Sequence, residues 1–91
     1  MKSIMQSDKV CYLCGRRYGL EIHHVLGGTA NRKLSEKYGL KVWLCHECHT
    51  GKNGAQYDPW KNKLLKMDAQ TVFEKTHTRS EWIKIFGKNY L

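Results

Sequence analysis

The alternation of apolar and polar positions changes character several times along this chain. Leu20-Glu21-Ile22-His23-His24-Val25-Leu26 is a segment of strand length bounded by Gly19 and by Gly27-Gly28. Leu40-Lys41-Val42-Trp43-Leu44 forms a second strand-like run that leads directly into Cys45. Between them, Thr29 to Tyr38 suits a short helix: Leu34 and Tyr38 are one turn apart, Thr29 can cap it, and Gly39 can end it. A further short helix is expected from about Glu47 to Lys52, closed near Gly51 or Gly54.

Beyond Gln56 the period becomes helical. Asp58-Pro59 reads as a cap followed by a first-turn proline. Trp60, Leu64, Leu65, Ala69, Val72 and Phe73 then fall on one broad face. Thr78-Arg79-Ser80-Glu81 has the spacing of a capping box and opens a last helix that carries Trp82, Ile83, Ile85 and Phe86. Aromatic side chains at helical spacing are read as core, so these helices are expected to roof the first half of the chain. Residues 1–9 read as a flexible tail, and Val10 to Gly15 as a tight knuckle in which Gly15 takes a positive φ. The expected fold class is α+β, in a single domain spanning residues 1–91.

Composition adds a partner to this picture. The chain has 91 residues and a formal charge of +8. That surplus on so short a chain points to a polyanion, of which nucleic acid is the commonest, with a merely solvated lysine-rich surface as the equally weighted alternative from charge alone. MKSIMQSDKV contains no apolar stretch of the signal-peptide kind, and no segment approaches membrane-spanning length. The expectation is a protein of the cytoplasm with no membrane partner.

The candidate chemistry lies in four cysteines and a histidine doublet. Cys11-x-x-Cys14 and Cys45-x-x-Cys48 are paired thiols at the spacing with which small intracellular domains clamp one tetrahedral Zn²⁺. Two disulfides are the alternative, and the lack of a secretory signal argues against them. With four thiolates and one Zn²⁺ in place the net charge falls to about +6. His23-His24 between the pairs, and His49 directly after Cys48, exceed what that site requires. Taken singly, each histidine reads as a structural polar residue, and His46 or His49 could replace a cysteine on zinc.

Together the residues carry a resemblance. Cys11-x-x-Cys14, Ile22-His23-His24-Val25 and Leu44-Cys45-His46-Glu47-Cys48-His49 resemble the HNH (ββα-metal) nucleases, in the version framed by four zinc cysteines. The resemblance covers residues 10–54 and implies a zinc-framed ββα-metal core with residues 55–91 as helices packed on it. The stretches Asn31 to Leu40 and Ile85 to Leu91 are in addition similar to phage and prophage HNH proteins, including relatives of the recombination-enhancement, RecA-dependent nucleases.

By position, the resemblance implies that His23 binds a catalytic divalent cation and that His24 is the general base that takes a proton from the attacking water. His49 would be a second cation ligand, and Asn53, four residues on, a further one. Asn31 is the nearest candidate for the asparagine that orients the base in the family. Gln56-Tyr57 stands where related phage proteins often have another histidine. Arg16, Arg17, Arg32, Lys33 and Lys52 are the candidates for holding phosphates. The cofactors implied are structural Zn²⁺ and a catalytic Mg²⁺, Mn²⁺, Ni²⁺ or Zn²⁺. Because imidazole suits later transition ions better than Mg²⁺, a two-histidine shell predicts activity with Mn²⁺, Co²⁺ or Ni²⁺ at least equal to that with Mg²⁺. The implied activity is a DNA endonuclease of little sequence preference, acting in recombination or DNA processing in a bacterial host, with a recombinase or phage DNA-processing protein as a candidate partner. The alternative from a different class is a zinc-finger-like module that binds DNA or a protein without cutting.

Overall fold

The computed structural model describes residues 1–91. Its elements run in the order β1 (Leu20–His24), α1 (Thr29–Tyr38), β2 (Lys41–Cys45), α2 (His46–His49), α3 (Pro59–Phe73) and α4 (Arg79–Phe86). The two strands form one antiparallel sheet, and the expected α+β class holds. The radius of gyration, 12.5 Å, is what one packed domain of this length gives. No helix is long and apolar enough to cross a membrane.

Strand register fixes which side chains share a face. Leu20 lies opposite Cys45, His23 opposite Val42 and His24 opposite Lys41. Alternation therefore puts Glu21 and His23 on one face with Val42 and Leu44, and Ile22 and His24 on the other with Lys41 and Trp43. Val42 and Leu44 are fully buried, and they join Leu65, Ala69, Phe73 and Trp82 in the core. His23 shares their face and is buried with them.

The local signals of α3 and α4 act as the sequence suggests. The Asp58 carboxylate accepts the amide protons of Trp60 and Lys61, with Pro59 at the first helical position. Thr78 and Glu81 form a reciprocal capping box. Phe73, Trp82 and Phe86 then pack ring to ring where the two helices meet, with Trp82 and Phe86 centroids 4.4 Å apart. Gln70, an unforeseen core residue, is fully buried; it accepts the Tyr90 amide proton and donates to Asn89 and Glu74. It thereby fastens the last residues of the chain across α3.

Four expectations need correction. Thr29 does not cap α1: the cap position is Gly28, at φ 90°, and no side chain bonds to the helix start. The helix expected over Glu47–Lys52 is α2, only His46–His49. It stops because Gly51 and Gly54 fold back so closely that a Cβ would sit 2.6 Å from the Glu47 oxygen and 2.7 Å from that of His49. Trp60 is not core but 64% exposed, since five residues before Leu65 is about 140° around the helix. Residues 1–9 lack helix and strand, yet they are not loose. The Ile4 amide donates to Gly39, Ser3 Oγ to the Lys41 carbonyl, and Gln6 accepts the Trp43 amide proton along the outer edge of β2.

Candidate functional site

The cysteine cluster is built from two tight turns. Cys11 and Cys14 belong to a knuckle in which the Gly15 amide returns to the Cys11 carbonyl and Gly15 takes φ 80°. Cys45 ends β2 and Cys48 lies in α2, one helical turn later. All four Sγ atoms lie within 4.8 Å of one another, and those of Cys14 and Cys45 are 3.6 Å apart. A tetrahedron with Zn–S bonds of about 2.3 Å has edges of about 3.8 Å, so the four thiols fit a Zn²⁺ of the knuckle type. All four cysteines are free, and 3.6 Å is far beyond a disulfide bond. Burial raises the Cys11 pKa, but the amides of Cys45, Cys14 and Leu13 outweigh it and bring the thiol down to about 6. Burial and the neighbouring thiols push Cys48 up. A cation at the centre is what allows all four to be thiolates together.

The histidines meet beside this cluster. The His23 and His49 rings stand edge to face with centroids 5.1 Å apart. His23 Nε2 is buried and has no hydrogen-bond partner. Such an orphan costs about 1–3 kcal/mol in a fold with nothing to gain from it. Burial, together with the charges of His49, His24 and Lys66, pushes the His23 pKa down to about 4, so the ring is a neutral donor at pH 7. His49 Nδ1 lies 2.8 Å from Glu21 Oε1. A carboxylate can only accept, so Nδ1 carries the proton and Nε2 keeps its lone pair. That is how a carboxylate orients a histidine toward a cation. The hydrogen bond to His49 also lowers the Glu21 pKa.

His24, on the opposite face of β1, is held separately. Its Nε2 lies 2.9 Å from Glu36 Oε2, while the other oxygen of the same carboxylate accepts from Lys41 Nζ at 2.6 Å. Lys41 is the register partner of His24 and is itself buried, so one carboxylate of α1 ties the cross-strand pair together. Lys41 first, and His24 second, lower the Glu36 pKa. The contact puts the His24 proton on Nε2 and leaves Nδ1 free to accept one.

Both members of the doublet open into one cleft of about 620 Å³ because His24 is the last residue of its strand. His49, Arg32, Gln56, Asn62 and Lys66 line it too. Of the sequence candidates, His23, His24, His49 and Arg32 are thus together. Asn53 is not: it is exposed, and its main-chain carbonyl accepts from Lys61 Nζ while its side chain lies outside the cleft. Gln56 takes the place beside His49, with its Nε2 3.5 Å from His49 Nε2. The fold-back at Gly54 that ends α2 is what brings Gln56 in. Arg16, Arg17, Lys33 and Lys52 are exposed but do not line the cleft, and the Arg16 guanidinium lies over the Tyr18 ring. Asn31 does not line it either. The sequence reading missed Glu21, Glu36 and Lys66. Glu21, two residues before His23 on a strand, carried a signal; the other two carried none.

Comparison of the chain with protein-family models, with curated proteins and with solved structures gives no match in any of the three. What the fold and site define is a small α+β protein with a two-stranded antiparallel sheet and a cluster of four cysteines close enough together to hold a metal ion. The cluster suits a zinc-binding module.

Proposed function

We propose that this protein is a divalent-cation-dependent DNA endonuclease of the ββα-metal kind. The single observation that carries the reading is the cleft. A buried imidazole with an unpartnered nitrogen packs against a second imidazole already oriented by a carboxylate, and a third histidine lines the same cleft with its base nitrogen free. A structural zinc module alone has no use for that arrangement.

In this reading His23 and His49 hold the cation. A divalent cation held there would supply charge neutralisation at the phosphate and at the leaving oxygen. Arg32 of α1 and Lys66 of α3, which both line the cleft, hold the phosphodiester and its neighbour. His24 Nδ1 accepts a proton from the attacking water, while Glu36 on Nε2 keeps the ring in the right tautomer. The water oxygen forms the new P–O bond, the bond to the leaving sugar oxygen breaks, and that oxygen takes a proton from solvent. The zinc cluster acts at a distance: Cys45 and Cys48 anchor the short helix that carries His49. A phage or prophage setting in recombination, with a recombinase as partner, fits the resemblance of residues 31–40 and 85–91 and belongs to the proposal.

Plasmid nicking is the test. Wild type with Mn²⁺, Co²⁺ or Ni²⁺ is expected to convert supercoiled to open-circular DNA at least as fast as with Mg²⁺, and EDTA to stop it. His24→Ala is expected to lower the rate by about 10²–10⁴-fold with zinc content and DNA binding retained. Zinc-loaded, folded protein that binds DNA but never cuts it would leave the binding module as the better description.

A further inference from the structure

The cleft does not end at Lys66. A second groove, of about 680 Å³, shares Lys66 and Asn62 with it and continues over α3 to the last residues of the chain. Trp60 forms one wall at 64% exposure, and Lys63, Lys88 and Tyr90 form others. No Asp or Glu side chain lines it. The ammonium groups of Lys66 and Lys88 both lie against the Tyr90 ring, at 5.5 and 5.4 Å from its centre. Like charges gathered on one ring repel unless an anion joins them. None of the chain's own carboxylates does so, for among its 16 lysines and arginines only Lys41 and Arg79 pair with a carboxylate.

We propose that this groove binds a single-stranded DNA segment running out of the histidine cleft, with an unpaired base stacked on Trp60 and its phosphates on Lys63, Lys66 and Lys88. Exposed lysines alone would serve duplex and single strand equally. An exposed indole lining a basic groove distinguishes them, because a base must leave its helical stack to lie on it. Trp60 also has no structural duty to explain its position: it stands on the side of α3 away from Ala69, and the helix start is already capped by Asp58. The inference deepens the nuclease reading and rests on it for the strand's direction, since the groove is contiguous with the cleft that would hold the scissile phosphate. The substrate class becomes DNA with an unpaired segment, such as a flap, a gap or a melted region.

The experiment measures binding of the zinc-loaded full chain, in the non-cutting His24→Ala background, to a labelled oligothymidine strand and to a hairpin duplex of equal length. Oligothymidine is expected to bind and to quench tryptophan emission. Trp60→Ala should weaken that binding by about ten-fold, the loss of one stacked base, while Trp60→Phe keeps most of it and duplex affinity hardly moves. Lys63→Ala with Lys88→Ala should flatten the salt dependence of binding. Unchanged oligothymidine affinity in Trp60→Ala, an equal loss on duplex and single strand, or absence of binding overturns the groove. The two proposals fail separately. Plasmid nicking with no Trp60 effect on oligothymidine sinks the groove alone, and Trp60-dependent binding by a wild type that cuts nothing sinks the nuclease alone.

Discussion

At the scale of single residues, the doublet His23-His24 splits into two unlike groups because a strand sends neighbours to opposite faces. His23 is dehydrated and unpartnered, which is poor for stability and good for a ligand. His23→Leu should therefore unfold at or above the wild-type temperature when no divalent cation other than zinc is present, since it removes an orphan worth about 1–3 kcal/mol. The same change should abolish the gain in melting temperature that Mn²⁺ gives the wild type. A large loss of stability in His23→Leu, measured by thermal denaturation, would mean that His23 is a core residue and no ligand. Glu36 gives the second test. Glu36→Ala should lower kcat by about 10–100-fold with KM little changed, as loss of a carboxylate behind a histidine does. It should also release His24 from the Nε2-protonated tautomer, read by ¹⁵N chemical shifts whether or not the protein cuts DNA. Glu36→Gln, which keeps an accepting oxygen, should retain the tautomer. The thiol spacing was legible because the members of each pair lie three positions apart, and the doublet because alternation dictates its faces. His49 stood out only by following Cys48, since Glu21 and His23, which it meets, lie 28 and 26 positions before it. Glu36 was not, because it reaches His24 only once α1 lies across the sheet. Asn53 was misplaced because the turn after α2, which swings Gln56 in instead, is set by backbone packing that no periodicity records.

At the scale of elements, what could be read was local and what could not was tertiary. Asp58 and the Thr78–Glu81 box cap α3 and α4 through bonds to residues two or three positions away. The N-terminus of α1 has no such bond. Its position follows from Ser35, which is buried and exchanges hydrogen bonds with both the amide and the carbonyl of Leu26. The capping box sets a pH dependence. The Thr78 amide holds the Glu81 carboxylate below its ordinary pKa. A depressed folded-state value adds stability above the unfolded pKa and loses it as pH falls through the folded one. Wild type should therefore be modestly more stable than Glu81→Gln at neutral pH, with the gap closing as the solution is acidified below about pH 4. A gap that persists in acid would show that the carboxylate charge contributes nothing. The shortness of α2 has its own test. A Cβ at Gly54 would meet the His49 carbonyl carbon and oxygen at 2.8 and 2.7 Å, both of them backbone that cannot swing aside. Gly54→Ala should cost about 1–3 kcal/mol in chemical denaturation, the range for forcing extra volume into a packed site. Because the clash falls on His49, it should also weaken cation binding.

At the scale of the molecule, two anchors hold the chain, and they differ in kind. The aromatic cluster of α3 and α4 belongs to a hydrophobic core that reaches back to Tyr38 of α1 and to Val42 and Leu44 of β2. The cysteine cluster joins a knuckle near the start of the chain to α2, with Cys14 and Cys45 separated by 31 positions. Closing so long a loop with a metal removes freedom from the unfolded chain, and in a protein with only 20 buried residues that constraint weighs heavily. It also weighs on function, since Cys45 stands at the cap of α2, Cys48 lies within it and His49 follows directly. Stripping the zinc should lower the melting temperature sharply and abolish nicking even when Mn²⁺ is supplied in excess. Zn²⁺ added back in stoichiometric amount, with Mn²⁺ present, should restore both together. The comparison separates the roles of the two metals: EDTA treatment brief enough to leave zinc in place should stop nicking while the melting temperature holds. If zinc-free protein melted like the wild type and cut DNA with Mn²⁺ alone, the thiol cluster would be dispensable. The rigidity of His49 would then have to come from Glu21 and the Gly54 turn.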